Sequence, residues 1–198
     1  MGPIGRQSRP PGLRRAARDS RGAAASTIAR PSRQPEGAMP DAVMIFAAGL
    51  GTRMGALTRD RPKPLLPLGG GTLLDHALAQ ARGIAPRRIV VNTHAHAGQV
   101  EAALDGQPDV TPLFEPTLLE TGGGLKAALP LLGTDPVLTL NADAGWLGPN
   151  PLALLRAAWD PDRMEALMLL VPPRAATGHA GPAASRWPRT GGSRGPGR

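Results

Sequence analysis

The feature that most limits what this chain can fold into is residues 42–48 (AVMIFAA), a run without one polar side chain that ends at Gly49. A membrane span needs about 20 such residues, and a buried helix ordinarily runs to ~10–12. A short apolar stretch containing β-branched residues and closed by glycine instead suits a strand buried on both faces. Strands of that kind belong to parallel sheets, whose connections cross over through helices. The rest of the foldable chain should therefore alternate in type.

It does. Residues 72–82 (TLLDHALAQAR) carry apolar positions at helical spacing, with Thr72 placed to cap the start and Gly83 to end it. Residues 88–92 (RIVVN) read as a second strand and 98–104 as a short helix. Residues 110–114 read as a brief strand broken by Pro112. Residues 124–132 read as a helix with Leu125, Leu129 and Leu132 on one side, stopping at Gly133. Strands over 136–140 (PVLTL) and 166–171, with a helix over 151–159 between them, complete the series. Alternating strands and helices specify an α/β fold, a three-layer α/β/α Rossmann-like arrangement with helices on both faces of a mostly parallel sheet. In such sheets the ligand lies beyond the carboxyl ends of the strands.

Composition confines this reading to the middle of the chain. The formal charge is +8, yet residues 1–40 contribute +6 and residues 173–198 contribute +5, leaving −3 for residues 41–172. The basic balance that would signal nucleic acid or an acidic membrane thus belongs to the flanks. Residues 1–40 have too few large apolar side chains to offset their ordering entropy and read as a disordered basic leader. No apolar stripe at helical spacing supports an amphipathic targeting helix. Residues 173–198 read as a disordered tail, and 41–172 as the one domain. The expected location is the cytoplasm, with no membrane and no nucleic acid as partner. Cysteine is absent, which excludes disulfides, thiolate nucleophiles and Cys-bound metals. The five aromatic residues are too few for a stacking platform for single-stranded nucleic acid.

Chemistry should sit where the first strand runs into GLGTRM. A glycine-rich turn leaving a buried strand lets backbone N–H groups approach phosphate closely. The spacing is neither a Walker loop nor a dinucleotide fingerprint. Arg53 follows Gly51 by two residues, and Lys63, one of only two lysines against 21 arginines, is held between Pro62 and Pro64. A compact ammonium where arginine is the default suits a point-charge contact to phosphate, and flanking prolines fix its loop. His94 and His96 follow the second strand in an HxH pair but have no evident third metal ligand. Trp146 and Trp159 read as packing residues, with Trp146 near enough to Asp143 to border a ligand, and Glu115 reads as an exposed loop acid, with contact to a ligand hydroxyl as the alternative.

The segment FAAGLGTRMGALTRDRPKPLLPLGGGTLLDHAL resembles the signature of the sugar-1-phosphate nucleotidylyltransferases, an apolar strand followed by A-A-G-x-G-T-R and then P-K-P-L. LLETGGGLKAALPLLG (118–133) is similar to the branch that makes UDP-N-acetylmuramate. LTLNADAGWLGPNP (138–151) is similar to the strand presenting that family's metal-binding aspartate. The resemblance runs from about residue 42 to about residue 181 and implies an enzyme that joins a nucleoside triphosphate to a sugar 1-phosphate and releases pyrophosphate. UTP and N-acetylmuramate 1-phosphate are the expected substrates, in cell-wall recycling. It implies that Ala48, Gly49, Gly51, Thr52, Gly122 and Gly123 bind the nucleotide. Arg53 would take the departing phosphates and Lys63 the α-phosphate and sugar phosphate. Glu120 would meet substrate and Asp143 would hold Mg2+.

Beyond VPPRAATGHAG the sequence leaves the family's pattern. No acid follows Glu165, so the relatives' second acidic ligand is missing, and the end reads as truncated or frame-shifted. The readings that compete are a mannose-1-phosphate guanylyltransferase, an inactive nucleotide-binding remnant, and a basic nucleic-acid-binding protein resting on the flanks alone.

Overall fold

The computed structural model describes residues 39–133 and 136–172, with Ala175 and Thr177. Nearly all of the expected leader and tail therefore lies outside the described residues. Among the described residues six strands and four α-helices follow in chain order: β1 Ala42–Phe46, β2 Pro67–Leu68, β3 Gly71–Thr72, α1 Leu73–Arg82, β4 Arg88–Thr93, α2 Ala97–Leu104, β5 Val110–Phe114, α3 Glu120–Leu132, β6 Val137–Asn141 and α4 Pro151–Ala158. Two 3-10 segments, Thr52–Thr58 and Lys63–Leu65, lie between β1 and β2.

The main sheet has the order β5-β4-β1-β6, and all three pairings are parallel. Pleating sends alternate residues of β1 to opposite faces. Val43 and Ile45 join the larger core with Leu74, Leu78, Val100 and Leu152, so α1, α2 and α4 cover that face. Ala42 and Met44 join Ala128 and Leu132 of α3 on the other. Each fully buried Val, Leu or Ile contributes about 1.5–3 kcal/mol relative to exposure, and β1 is buried because it faces both layers. The expected three-layer α/β fold is the observed one.

The α1 start is set by its sequence. The Thr72 hydroxyl accepts from the Asp75 amide, and the Asp75 carboxylate accepts from the Thr72 amide, a reciprocal capping box. The Thr72 backbone N–H first, and second its hydroxyl, which also donates to the carboxylate, hold the Asp75 carboxyl below its ordinary value. The small β2–β3 hairpin ahead of this cap was not foreseen; His76 ties it to α1 through the Leu68 carbonyl.

Three expectations are corrected. Pro112 does not break β5, which pairs with β4 along its whole length from Val110 to Phe114; the strand lies at the sheet edge, where a missing donor costs nothing on the open side. Helix α3 begins at Glu120 rather than at residue 124, and its buried positions are Gly124, Ala128 and Leu132, with Leu129 exposed. Buried residues four apart mark the inward face, and the leucines three to four apart merely overlap it. Residues 166–171 form no strand. Met168, Leu170 and Val171 are exposed, because an apolar run becomes a strand only when a sheet edge receives its backbone donors.

Candidate active site

Strand order reverses at β1: the chain winds outward through β4 and β5, then returns through α3 to place β6 on β1's other side. A crevice opens at such a switch point, beyond the carboxyl ends of the strands. Here it is an open cleft of about 350 Å³ whose lining comes from every strand end of the main sheet. After β1 come Ala48, Gly49, Gly51, Thr52 and Arg53; Lys63 and Pro64 follow from the 3-10 segment; Asn92 closes β4; Glu115 follows β5; Glu120 and Thr121 open α3; Asn141 and Asp143 end β6.

The turn after β1 needs glycine in one place and only tolerates it in another. Gly51 has φ +67°, and a Cβ there would lie 3.1 Å from the Thr58 Cγ2 and 3.4 Å from the Lys63 Cβ. The Thr58 hydroxyl donates to the Gly51 carbonyl at 2.9 Å, which pins the turn. At Gly49 a Cβ would meet nothing within 4 Å, so protein packing does not demand glycine there. An open backbone facing a cleft leaves room for a ligand.

Lys63 and Asp143, 80 residues apart in sequence, meet across the cleft with Nζ 2.7 Å from Oδ2. Their side chains are 25% and 41% exposed. An ion pair so exposed is worth little in itself, and each partner is free to exchange the other for a ligand of suitable charge. Lys63 heads its 3-10 segment between two prolines, as the reading of a fixed loop expected. Arg53 lies on the same rim.

The floor differs. The Ala47 amide donates to Asn92 Oδ1 at 2.7 Å; Asn92 Nδ2 donates to Glu115 Oε1 at 2.7 Å; the Leu119 amide donates to Glu115 Oε2 at 3.1 Å. Glu115 is 1% exposed and Asn92 3%. The expectation of an exposed loop acid at 115 is therefore wrong: the Glu115 amide donates to the Thr93 carbonyl, continuing the β5–β4 ladder, and this directs the side chain inward. Sequence reading missed Asn92. Its one signal is a polar residue closing an otherwise apolar buried strand.

Glu120 lines the cleft in the left-handed region, φ +58°. That conformation costs a non-glycine residue about 1–2 kcal/mol, and such strain tends to collect at functional sites. Gly122 and Gly123 follow in the helix and do not themselves line the cleft. Trp146 packs against the larger core, as expected of a packing residue. His94 spends Nδ1 on the Glu115 carbonyl, and His96 starts α2 at φ +52°.

Among the described residues no three acids or histidines stand together as a metal cage. Mg2+ does not require one: it takes one or two carboxylates and completes its shell with phosphate oxygens and water. A single half-exposed aspartate on an open cleft fits that ion, with Asn141 lining the same cleft.

The sequence profile of the MobA-like NTP transferase domain matches residues 43–186. The N-acetylmuramate alpha-1-phosphate uridylyltransferase of Caulobacter vibrioides is 42% identical over 140 residues, which make up 66% of this chain and 58% of that protein. The protein of the same name from Neisseria meningitidis serogroup B is 44% identical over 106 residues, 50% of this chain and 46% of that one. The chain thus spans about half the length of these curated relatives. Among solved structures, a nucleotidyl transferase from Methanothermobacter thermautotroptrophicus superposes with a TM-score of 0.52 at 27% identity, over 60% of this chain and 56% of that one. A profile that covers most of the described fold, on a sheet whose switch-point cleft gathers a glycine turn, two cations and an aspartate, leaves one assignment: this chain belongs to the family of MobA-like NTP transferase domains.

Proposed function

We propose that the cleft transfers a nucleoside monophosphate from a nucleoside triphosphate to a sugar 1-phosphate, with UTP and N-acetylmuramate 1-phosphate as the pair. The observation that carries this reading is the meeting of Lys63 and Asp143 beside Arg53 at the mouth of a cleft walled on one side by a glycine turn. The choice of sugar and base is supported by the two relatives named for that reaction.

An oxygen of the sugar phosphate attacks the α-phosphorus, forming a new O–P bond, while the bond from the α-phosphorus to the bridging oxygen breaks and pyrophosphate departs with the electron pair. An anionic phosphate monoester is already a nucleophile, so no general base is needed. The protein's work is to bring two anions together and to compensate charge on the leaving oxygens. Ala48, Gly49, Gly51 and Thr52 offer main-chain donors and an unobstructed surface to the triphosphate. Arg53 faces the β- and γ-phosphates. Lys63 leaves Asp143 for the α-phosphate and the incoming sugar phosphate. Glu120 meets a sugar hydroxyl. Asp143 would hold Mg2+, which would supply positive charge to offset that of the phosphates. The working location we assign is the cytoplasm, where nucleoside triphosphates are held; among the described residues no helix is long and apolar enough to cross a membrane.

Incubation with UTP, N-acetylmuramate 1-phosphate and Mg2+ should release pyrophosphate, and Asp143→Ala should abolish the release. A panel of four nucleoside triphosphates and several sugar phosphates, mannose 1-phosphate among them, tests the substrate choice. Equal turnover by the Asp143→Ala variant would contradict the role given to the carboxylate.

A further inference from the structure

Two side chains on the cleft floor, Asn92 and Glu115, have no part in the transfer just described, yet they connect two segments that do. Through Asn92 Oδ1 they hold the Ala47 amide at the entrance to the glycine turn; through Glu115 Oε2 they hold the Leu119 amide, one residue before Glu120. The link between them is the Asn92 Nδ2 to Glu115 Oε1 bond of 2.7 Å. We infer that Asn92 and Glu115 are a positioning pair: they fix the distance between the glycine turn and the first turn of α3, and hence the width of the cleft that receives the nucleotide. The inference rests on the nucleotidyl-transfer reading for its ligand, and on these bonds for its geometry.

Gly124 gives independent support. A Cβ at that position would lie 2.6 Å from Glu115 Oε1 and 2.9 Å from Asn92 Nδ2, the very two atoms that bond to each other. At Gly122, two residues earlier in the same run, a Cβ would meet nothing within 4 Å. Helix α3 is therefore seated directly on the pair, and the last glycine of GGG is the space the pair occupies. A buried carboxylate is seldom the most stable filling for a site, since well-packed apolar groups usually do as well or better. One whose oxygens accept from two separate cleft walls has a positional reason to be there.

The bonding pattern permits a test that separates position from mere packing. Asn92→Asp sets two carboxylates against each other. Glu115→Gln, however it turns, points an amide N–H at a donor, either Asn92 Nδ2 or the Leu119 amide. Combining the substitutions restores every bond: the new aspartate accepts from the Ala47 amide and from the new glutamine's nitrogen, and the glutamine's oxygen accepts from the Leu119 amide. Size and net charge are unchanged.

The measurements are UTP affinity in the presence of Mg2+ by calorimetry, amide hydrogen exchange at Ala47 and Leu119 in the ligand-free protein, and thermal unfolding. Each single variant should weaken UTP binding by about tenfold or more, the size expected when a buried donor or acceptor loses its partner, and should speed exchange at both amides. The double variant should bind within about threefold of the wild type and recover exchange protection, a non-additivity that only coupled residues give. Losses that simply multiply in the double variant would overturn the inference. So would single variants that melt earlier but, while folded, bind UTP as the wild type does, for that is a structural role alone. A wild type that fails to bind UTP contradicts the functional reading instead; concerted exchange and its rescue then still uphold the brace, and additive exchange still overturns it.

Discussion

At the mouth of the cleft Asp143 is 41% exposed and meets a lysine carried on a separate 3-10 segment, whereas on the floor Glu115 is 1% exposed and both its oxygens are held by fixed donors. The two carboxylates line one cavity, but water reaches the first pair, so the pair can open and accept new partners at little cost. The second pair is sealed, and opening it strands a buried polar group. The mouth is thus suited to exchange during turnover and the floor to holding the walls still. Chemistry and architecture divide along that line, and substitutions should reveal it.

The largest contrast is expected at the mouth itself. Asp143→Ala and Lys63→Ala should each reduce pyrophosphate release by about 10²–10³-fold or more, while thermal unfolding moves little, since exposed positions usually shift stability by no more than about 0.5 kcal/mol. A large drop in melting temperature would show that the mouth, too, is structural.

On the floor the order inverts. Gly124→Ala forces a methyl into the Asn92–Glu115 bond and should cost about 1–3 kcal/mol by overpacking. Gly122→Ala, in open space, should be neutral or stabilising by up to about 1 kcal/mol from helix propensity. Denaturant titration of the two variants checks this, and equal effects would remove the reason given for the third glycine.

Within the turn after β1 the same division recurs over two residues. Gly51→Ala should lower stability by about 1–2 kcal/mol, because the position is left-handed and crowded by Thr58. Gly49→Ala should leave stability unchanged and weaken UTP binding, because its Cβ would enter only the ligand's space.

The smallest effect lies away from the cleft. Asp75 is held low by its Thr72 bonds, and Asp109 is held low by its bond to the Arg82 guanidinium. Carboxyls lowered on folding stabilise fully above the ordinary value of about 3.9 and lose that contribution as the pH falls through their lower folded values. Thermal unfolding followed below pH 4 should show a decline that is shallower in a Thr72→Ala, Asp109→Asn double variant.

Much of this was legible beforehand because strands and turns announce themselves locally. An apolar run ending in glycine gave β1, and Thr72 ahead of apolar positions at helical spacing gave the start of α1. Lys63 stood out because lysine is rare in this chain, Gly51 and Arg53 because they follow a buried strand, and Asp143 only through the resemblance to the nucleotidylyltransferases. What was not legible depends on partners distant in sequence. Pro112 is harmless because β5 lies at an edge, and residues 166–171 pair with no strand among the described residues. Glu115 looks like any loop acid until Asn92, 23 residues earlier, supplies the donor that draws it inward.

The account's central claim is that Arg53, Lys63 and Asp143 act together on one triphosphate. Crystals grown with Mn2+ in place of Mg2+ and a non-hydrolysable UTP analogue, examined by anomalous scattering, would test it most directly. The account predicts a metal peak about 2.1 Å from an Asp143 oxygen, the triphosphate along Gly49–Arg53, and Lys63 turned from Asp143 onto the α-phosphate. A nucleotide bound elsewhere, or a Lys63–Asp143 pair still closed beside it, would contradict it.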